Sequence, residues 1–345
     1  MSKLVCKRCV LDSDIPGIEI NKESGLCHFC ETYVPLSLQE KEEYLKRIEG
    51  LFKKYSGTGN YDVIFALSGG KDSSYTLYKL KKDYPFLKIL AVQFDNGFTS
   101  DYAVINAKKM CEITGCDYFK LSMENEVLYD LFRKAAESYD AFPKFAKYRA
   151  SDICNICISV IKQKLIEQAI IQKAPFIVFA FTAGQSPNPI INLSANFIQW
   201  SRNLFEKQLQ KIGVEDRGEQ FIIKNEVIKN IGEPAPSILH PLCLWEYSED
   251  KVLETVIGLG WKPPELNDSN STNCTLNSFA CYNHLEKYGF HPYAFDIAGL
   301  VRSGEMPRGE GLEKLHQELS EPLIEEAAEK LEVKVNNPKK ILLKI

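Results

Sequence analysis

The sequence predicts an α/β protein built on a doubly wound parallel sheet, and three observations support this prediction. Apolar segments that fit buried strands, such as YDVIFAL from Tyr61 and LKILAVQF from Leu87, alternate with segments of helical periodicity. A glycine-rich turn directly follows the first of these strands and opens a helix. A later strand candidate, PFIVFAFT, runs into the loop AGQSPNP. Open α/β sheets bind ligands at the carboxyl ends of their strands, so both loops are candidate site segments.

The predicted elements follow the chain in a regular order. A charged helix over residues 37–54 ends before a boundary near residue 58. Beyond the first strand we expect a helix from Asp72, the LKILAVQF strand, a helix over 100–114, the strand DYFKLS, a long helical region over 124–172 and the PFIVFAFT strand. After Pro241, helices are predicted at SEDKVLETVIGLG and over 310–331, with the irregular polar stretch ELNDSNSTNCTLN between them. The resulting division is an N-terminal module (1–36), a linker helix (37–58), the α/β domain (59–235) and a mostly helical C-terminal region (236–345).

Composition and charge limit the classes of function. The chain of 345 residues fits one α/β domain of about 200 residues with smaller pieces attached. It has no apolar run near the roughly 18 residues of a membrane span and no secretory leader, so we expect a cytoplasmic protein that does not contact membranes. Its net charge of −4 gives no global attraction to nucleic acid. Eleven cysteines in a reducing compartment indicate metal binding where they occur in spaced pairs.

The run from Ser68 to Ser74, SGGKDSS, is the predicted phosphate-binding loop. Two glycines let the backbone approach an anion, and the N–H groups at the start of the following helix point toward it. The spacing is not that of a Walker A loop. The alternative is a Gly-Gly turn followed by an Asp/Ser helix cap without a ligand.

This loop resembles the pyrophosphatase loop (PP-loop) of the N-type ATP pyrophosphatases, a Rossmann-like class that cleaves ATP between the α and β phosphates and adenylates a carbonyl or carboxyl oxygen. The resemblance covers about residues 60–200. It implies that pyrophosphate is held by Ser68, Gly69, Gly70 and Ser73, that Lys71 neutralises developing charge, and that Asp72 lies near Mg²⁺ or the target. It also implies nucleotide contacts at Ala66, Phe94, Asp95, Asn96 and Gly184. The loop that usually reads Gly-His-Asn in that class reads Gly184-Gln185-Ser186 here, without the histidine.

Four cysteines near the N-terminus form a predicted metal site. Cys6 and Cys9 form one Cys-x-x-Cys pair, and Cys27 and Cys30 form the second after seventeen intervening residues. Two such pairs suit a tetrahedral zinc ion in a zinc ribbon, which is a closed site and therefore structural. A [4Fe–4S] cluster uses the same four thiolates and stays an alternative, as do thiols without metal.

The two ends of the chain are similar to a second group. The run CKRCVLDSDIPGIEINKESGLCHFC resembles the N-terminus of the N-acetyl sugar amidotransferases, a PP-loop family that makes acetamidino groups on bacterial surface sugars. The segment LVRSGEMPRGEGLEKL resembles the ending of the same family. The resemblance implies an enzyme that receives ammonia from a separate glutaminase subunit.

A second set of cysteines predicts a reactive metal centre. Cys154 and Cys157 form a pair at the start of a helix about 80 residues beyond the phosphate loop, and Cys274 follows the SEDKVLE helix. Three thiolates that hold a [4Fe–4S] cluster leave one iron free to carry a ligand. This layout resembles the cluster-dependent tRNA thiolases, in which a Cys-x-x-Cys and one later cysteine bind the cluster. The alternative is that the pair is buried packing, since free cysteine behaves as a small hydrophobe.

The other cysteines and the histidines are interpreted as structural. Cys111, Cys116 and Cys243 belong to this group, and Cys281 fits the core better than a persulfide carrier. His240, His284 and His291 show no ligand spacing, so each is predicted to be a satisfied structural side chain.

Taken together, these features favour an ATP-dependent sulfurtransferase. ATP adenylates a substrate oxygen with Mg²⁺, Lys71 and Asp72, and sulfur delivered through a cluster on Cys154, Cys157 and Cys274 replaces that oxygen. The second hypothesis is an ammonia-using amidotransferase, and the third is a non-catalytic nucleotide-binding adaptor. The expected acceptor is a small molecule or a carrier-tethered acyl group, and tRNA is the less favoured alternative. The expected partners are a sulfur donor or, for the amidotransferase, a glutaminase, and the chain is expected to form a homodimer.

Overall fold

Six strands form one sheet in the structure, a computed structural model that describes residues 3–139, 142–186, 188–265 and 271–336. The strands are β1 Val63–Ala66, β2 Ile89–Asp95, β3 Asp117–Ser122, β4 Phe176–Val178, β5 Ile190–Asn192 and β6 Ser237–Leu239. Their order across the sheet is β3-β2-β1-β4-β6-β5. All neighbouring pairs are parallel except β5 with β6. The predicted doubly wound α/β fold is confirmed, with one antiparallel edge strand.

Fifteen α-helices lie within the described residues. The first eight are α1 His28–Glu31, α2 Leu38–Tyr55, α3 Lys71–Asp83, α4 Asp101–Thr114, α5 Asn125–Glu137, α6 Lys144–Lys147, α7 Asp152–Ile171 and α8 Ala195–Lys211. The remaining seven are α9 Glu215–Gly218, α10 Asn225–Lys229, α11 Glu249–Gly258, α12 Asn277–Tyr288, α13 Ala294–Ser303, α14 Arg308–His316 and α15 Glu321–Lys330. Single turns of 3₁₀-helix lie at Glu219–Phe221 and Pro241–Cys243. None of the described helices is both long and apolar enough to cross a membrane.

The sheet is covered on both faces because its central strands are apolar at every position. On β1, Val63 and Phe65 face a core shared with α2 and α3, whereas Ile64 faces a second core shared with α7. Successive side chains of a strand point to opposite faces, so a strand buried on both sides reads as a continuous apolar run. This explains why the sequence of β1 does not alternate.

The strand order creates a switch point between β1 and β4. From β1 the chain moves outward through β2 to β3, and it then returns to place β4 on the other side of β1. The loops after β1 and β4 therefore diverge and leave a crevice at the carboxyl edge of the sheet, which is where such folds bind ligands. The predicted phosphate loop follows β1, so it lies at this crevice.

Some elements differ from their predicted form. The helical region over 124–172 is three helices, because α5 ends at Glu137, Pro143 is the N-cap of α6, and the Ser151 hydroxyl caps α7 by accepting from the Cys154 N–H at 3.1 Å. The predicted tail helix over 310–331 is the two helices α14 and α15. Strands β5 and β6 are three residues each, too short to show a periodic signal. The last nine residues of the predicted C-terminal region, 337–345, and part of the ELNDSNSTNCTLN stretch lie outside the described residues.

Candidate active site

The phosphate loop adopts the geometry that an anion site requires. Gly69 has a φ of +79°, and Gly70 is the N-cap of α3. The hydroxyls of Ser68 and Ser73 lie 3.0 Å apart, and Ser73 Oγ also donates to the Gly70 carbonyl at 3.1 Å. The two serines and the first residues of α3 line the same cavity. This arrangement suits a bound phosphate group.

Lys71 and Asp72 are part of a half-buried charge network that includes the C-terminal region. Lys71 Nζ lies 2.9 Å from Asp72 Oδ2 and 3.6 Å from Glu249 Oε1, and Lys314 binds the other oxygen of Glu249 at 3.0 Å. Tyr247 donates its hydroxyl hydrogen to Asp72 Oδ1 at 3.0 Å. Burial lowers the pKa of Lys71, but the carboxylates of Asp72 and Glu249 outweigh burial and raise that pKa overall. Lys71 is thus a fixed cation beside the loop.

The segment 271–275 covers the phosphate loop and positions Cys274. Thr272 Oγ1 accepts from the Lys71 N–H at 3.4 Å. Ser100 N donates to the Asn273 carbonyl at 3.1 Å, and Thr275 N donates to the Phe98 carbonyl at 2.9 Å, so the segment pairs with the loop that follows β2. Cys274, which was predicted from a distant position in the sequence, is therefore held close to the predicted phosphate loop by backbone hydrogen bonds of its segment.

The three cysteines of the second set converge at the same crevice. The Asn96 side-chain nitrogen lies 3.7 Å from Cys157 Sγ and 3.5 Å from Cys274 Sγ. Burial raises the pKa of Cys157, and the neighbouring Cys274 and Cys154 thiols raise it further. All three cysteines line one cavity, and thiolates are the ligands that iron–sulfur clusters take in proteins. The residues present fit a [4Fe–4S] cluster with three protein ligands.

One cavity of about 360 Å³ joins the phosphate loop to the cysteines. Most of the predicted nucleotide-binding and catalytic residues line it: Ala66, Ser68, Gly70, Lys71, Asp72, Ser73, Phe94, Asn96, Cys154, Cys157 and Cys274. Cys281, which the sequence suggested as a core residue, is buried and also lines this cavity. The structure therefore brings the predicted phosphate loop and four cysteines around a single space.

Three predicted nucleotide-binding residues do not line the cavity. The Asp95 carboxylate binds Lys120 at 2.7 Å and accepts from the Gly97 N–H at 3.0 Å, so both its oxygens are engaged beside β3. Gly184 packs against α13, and it is the next residue, Gln185, that lines the cavity. Gly69 shapes the loop through its backbone.

The N-terminal cysteines form a second, separate metal-site geometry. The ligand atoms of Cys6, Cys9, Cys27 and Cys30 all lie within 4.8 Å of one another, and all four side chains are buried. A hydrogen bond with Cys9 lowers the pKa of Cys27 to about 5. Four converging thiols fit a tetrahedral ion, and both zinc and iron–sulfur chemistry are compatible with this donor set.

The buried histidines His240 and His284 differ in their hydrogen bonding. His240 Nδ1 lies 2.9 Å from Ser186 Oγ and 2.7 Å from the Asn188 carbonyl oxygen, and burial lowers its pKa to about 4. Both ring nitrogens of His284 are buried without a hydrogen-bond partner among the described residues. The expectation of a satisfied side chain is therefore wrong for His284, whose ring packs against Tyr288 and Phe290.

Sequence reasoning missed several residues of the site. Tyr247 and Glu249 contact the predicted loop residues, and Arg149 and Asp296 line the cavity from two further segments. None of the four belongs to a spaced motif, so only the folded arrangement identifies them. The one available signal was the position of Glu249 in the first turn of a predicted helix, where acidic residues are common.

Comparison with known proteins gives distant similarities. No family model matches the sequence. A protein of Methanocaldococcus jannaschii, described as uncharacterized, is 23% identical over 321 residues, which is 92% of this chain and 94% of that protein.

Three solved structures are similar to this chain at low TM-scores. The U34-tRNA thiolase NcsA from Methanococcus maripaludis with its [4Fe-4S] cluster has 18% identity and a TM-score of 0.36, covering 98% of this chain and 92% of that one. The NMN synthetase from Francisella tularensis has 12% identity and a TM-score of 0.37, covering 87% and 98%. The NH3-dependent NAD synthetase from Campylobacter jejuni has 14% identity and a TM-score of 0.31, covering 67% and 100%. Because these scores are low, the fold assignment rests on the strand order described above.

Proposed function

We propose that this protein is an ATP-dependent sulfurtransferase that adenylates an oxygen of its substrate and replaces that oxygen with sulfur. The observation that carries the proposal is the single cavity lined by both the phosphate loop and Cys154, Cys157 and Cys274. An adenylated carbon must meet its nucleophile before water reaches it, so activation and replacement belong in one enclosed space.

The loop residues account for the first step. The acceptor oxygen attacks the α-phosphorus of ATP, the bond from that phosphorus to the bridging oxygen breaks, and pyrophosphate leaves. Ser68, Ser73 and N–H groups at the start of α3 would hold the leaving pyrophosphate, and Lys71 would offset its charge. The Asp72 carboxylate is a suitable Mg²⁺ ligand, with Glu249 beside it as a second. AMP is then a far better leaving group than oxide or hydroxide.

The cysteines account for the second step. Cys154, Cys157 and Cys274 would hold a [4Fe–4S] cluster, which when bound supplies sulfide for attack on the activated carbon. Asn96 orients two of these sulfurs through its side-chain amide. When sulfide bonds to the carbon, AMP leaves with the former acceptor oxygen and the product is a thiocarbonyl, thioamide or thioacid.

The amidotransferase is the second candidate, and one contact favours it. The Arg308 guanidinium donates to the Cys6 carbonyl at 3.0 Å and to the Cys9 carbonyl at 3.0 Å. The two terminal segments that resemble the sugar amidotransferases thus contact each other and form one unit. In this case ammonia, rather than sulfide, displaces AMP.

Metal content separates the two candidates. Full-length protein purified without oxygen should be brown and hold about four irons per chain at the second cysteine set, in addition to any metal at the first. Cys274→Ser should lose this iron, whereas Cys111→Ala, which removes a buried thiol outside the cavity, should retain it. Colourless wild-type protein that holds only zinc and turns over with ammonia would refute the sulfurtransferase in favour of the amidotransferase.

A further inference from the structure

One wall of the cavity carries two charged side chains that make no hydrogen bond. Arg149, between α6 and α7, and Asp296, in the first turn of α13, both line the cavity. Lys162, on α7, does not line the cavity itself, but its charge acts on Arg149. Among the residues that the structure describes, none of these three side chains makes a hydrogen bond or an ion pair within 4.0 Å, although the charges of Arg149 and Asp296 attract each other over a longer distance. The Arg149 guanidinium carbon lies 5.3 Å from the centroid of the Phe181 ring.

These side chains are half-buried, and each has lost part of its hydration without gaining a hydrogen bond in return. Burial lowers the pKa of Lys162 to about 8 and raises the pKa of Asp296 to about 8, and it also lowers the pKa of Arg149. Buried charges in folded proteins are normally paired and hydrogen-bonded, because an unpaired one loses its hydration without compensation. A bound molecule that supplies the missing partners would remove this penalty.

Lys287 is a buried charge of the same protein that has a structural role and several hydrogen-bond partners. Its side chain is 4% exposed, and its ammonium group binds Asp152 at 3.4 Å and the carbonyls of Ala135 and Ser138 at 3.1 and 2.6 Å. Arg149 and Asp296 therefore differ from Lys287 in their hydrogen bonding. They make no hydrogen bonds within the protein, and they line a cavity that a ligand can enter.

Two glycines hold Asp296 at this wall. A Cβ on Gly184 would lie 2.2 Å from the Asp296 carbonyl oxygen, and a Cβ on Gly299 would lie 2.6 Å from the Gly184 Cα. The loop after β4 and the start of α13 can approach this closely only because neither residue has a side chain. The contact brings Asp296 into the crevice at the switch point of the sheet, where ligands of such folds bind.

We propose that Arg149 and Asp296 form the binding site for the acceptor, and that the acceptor is a small anionic molecule with a carboxylate or phosphate group and at least one hydroxyl or N–H donor. Lys162 adds a second cation beside Arg149, so this region has an excess of positive charge. The planar guanidinium of Arg149 suits a carboxylate or phosphate, which it can bind with two parallel hydrogen bonds. Asp296 accepts the hydrogen bond from the hydroxyl or N–H group.

This inference rests on the proposed function, because it assigns the wall to the molecule that ATP activates. The wall and the phosphate loop open on the same cavity, so one bound acceptor can reach both. Asp296 lies at the start of α13, beside the loop that follows β4. The proposed acceptor site is therefore separate from the predicted phosphate-binding residues of α3.

The first test measures thermal unfolding of the full-length protein without ligand. Arg149→Met and Asp296→Asn should leave the unfolding midpoint unchanged or raise it, because neither side chain makes a hydrogen bond or a close ion pair in the ligand-free protein. Lys287→Met is the matched control, and it should lower the midpoint by about 6 °C or more, because it removes the cation that pairs with the buried Asp152 carboxylate. A fall in Arg149→Met or Asp296→Asn as large as that of the control would assign these side chains a structural role and overturn the proposal.

The second test measures anion binding to protein saturated with Mg²⁺ and α,β-methylene-ATP, so that the phosphate loop is already occupied. Titrations with inorganic phosphate and with succinate should each be followed by thermal unfolding, and the anion that raises the wild-type midpoint identifies the phosphate or the carboxylate class. Arg149→Met should weaken that binding about tenfold or more. Equal binding by wild type and Arg149→Met, or no stabilisation of wild type by either anion, would overturn the proposal.

The same titrations separate this inference from the proposed function. If wild-type protein fails to bind α,β-methylene-ATP, the nucleotide assignment is wrong, while the ligand-free unfolding test can still be read. If Arg149→Met binds the ATP analogue more weakly than wild type, Arg149 belongs to the nucleotide site and not to the acceptor. Unchanged analogue binding together with weakened anion binding is the result that supports the proposal.

Discussion

Replacing the glycines of the phosphate loop should separate the folding of the loop from its binding function. Gly69 combines a φ of +79° with a position where a Cβ would lie 2.0 Å from the Ala103 carbonyl oxygen. The left-handed conformation costs a residue with a side chain about 1–2 kcal/mol. The clash is with backbone, which yields less easily than a side chain, and overpacking costs about 1–3 kcal/mol more. Gly69→Ala should therefore lower the free energy of unfolding by about 2–5 kcal/mol.

Gly70→Ala should have the opposite pattern: it should leave stability nearly unchanged but weaken the binding of an ATP analogue. Its φ is −75°, which alanine adopts freely, and an added Cβ would lie 3.0 Å from Thr272 Oγ1 and 3.1 Å from Asn273 Oδ1, both side-chain atoms. Gly70→Ala should change stability by less than about 1 kcal/mol. The methyl group would occupy the side of the loop that faces the cavity, so binding of an ATP analogue should weaken by about tenfold or more as hydrogen bonds to the phosphate are lost.

Urea unfolding followed by tryptophan fluorescence measures the loss of stability in Gly69→Ala, since Trp261 donates to the Gly69 carbonyl at 2.9 Å and reports on the loop. Titration calorimetry with Mg²⁺ and α,β-methylene-ATP measures the weaker binding expected for Gly70→Ala. Gly115→Ala is the control for conformational strain alone, because Gly115 has a φ of +65° and open space around its Cβ position. The reasoning fails if Gly69→Ala is no less stable than Gly115→Ala, or if Gly70→Ala binds the analogue as tightly as wild type.

Three further predictions concern the metal module and the buried charges. Cys6→Ser should lose the N-terminal metal and much of the soluble protein, because a closed metal site contributes folding free energy; metal analysis of any soluble fraction checks this. Lys287→Met should destabilise the protein by about 3–5 kcal/mol in urea unfolding, and a change below about 1 kcal/mol would contradict the role of its pair with Asp152. Burial lowers the pKa of His284 from 6.5 to about 3, so the unfolded chain binds a proton below pH 6.5 that the folded chain does not, and stability falls as the pH falls from 6.5 toward 3. The loss from this group should reach about 2 kcal/mol at pH 5, and His284→Phe should remove it in unfolding curves at pH 5 and 7.5.

The sequence by itself determined those features whose residues are close together in the chain. The loop from Ser68 to Ser74 needs only a strand, two glycines and a helix start, and all three are local signals. The pairing of Cys6 with Cys9 and of Cys27 with Cys30 is equally local, and the structure brings the four sulfurs together as predicted. The doubly wound sheet followed from the alternation of strands and helices, which needs no tertiary information.

Only the tertiary structure decided which distant side chains share the site. Glu249 reaches Lys71 and Thr272 reaches the backbone of the loop across about 180 and 200 residues of chain, and no spacing in the sequence relates them. Asp95 has the right position at the end of β2, but Lys120 on the neighbouring strand engages its carboxylate. The physical reason is that packing, and not sequence periodicity, sets where a side chain points once its strand or helix is in place. For the same reason, the sequence does not show that Arg149 and Asp296 lie on one wall of the cavity without hydrogen bonds; only the folded structure does.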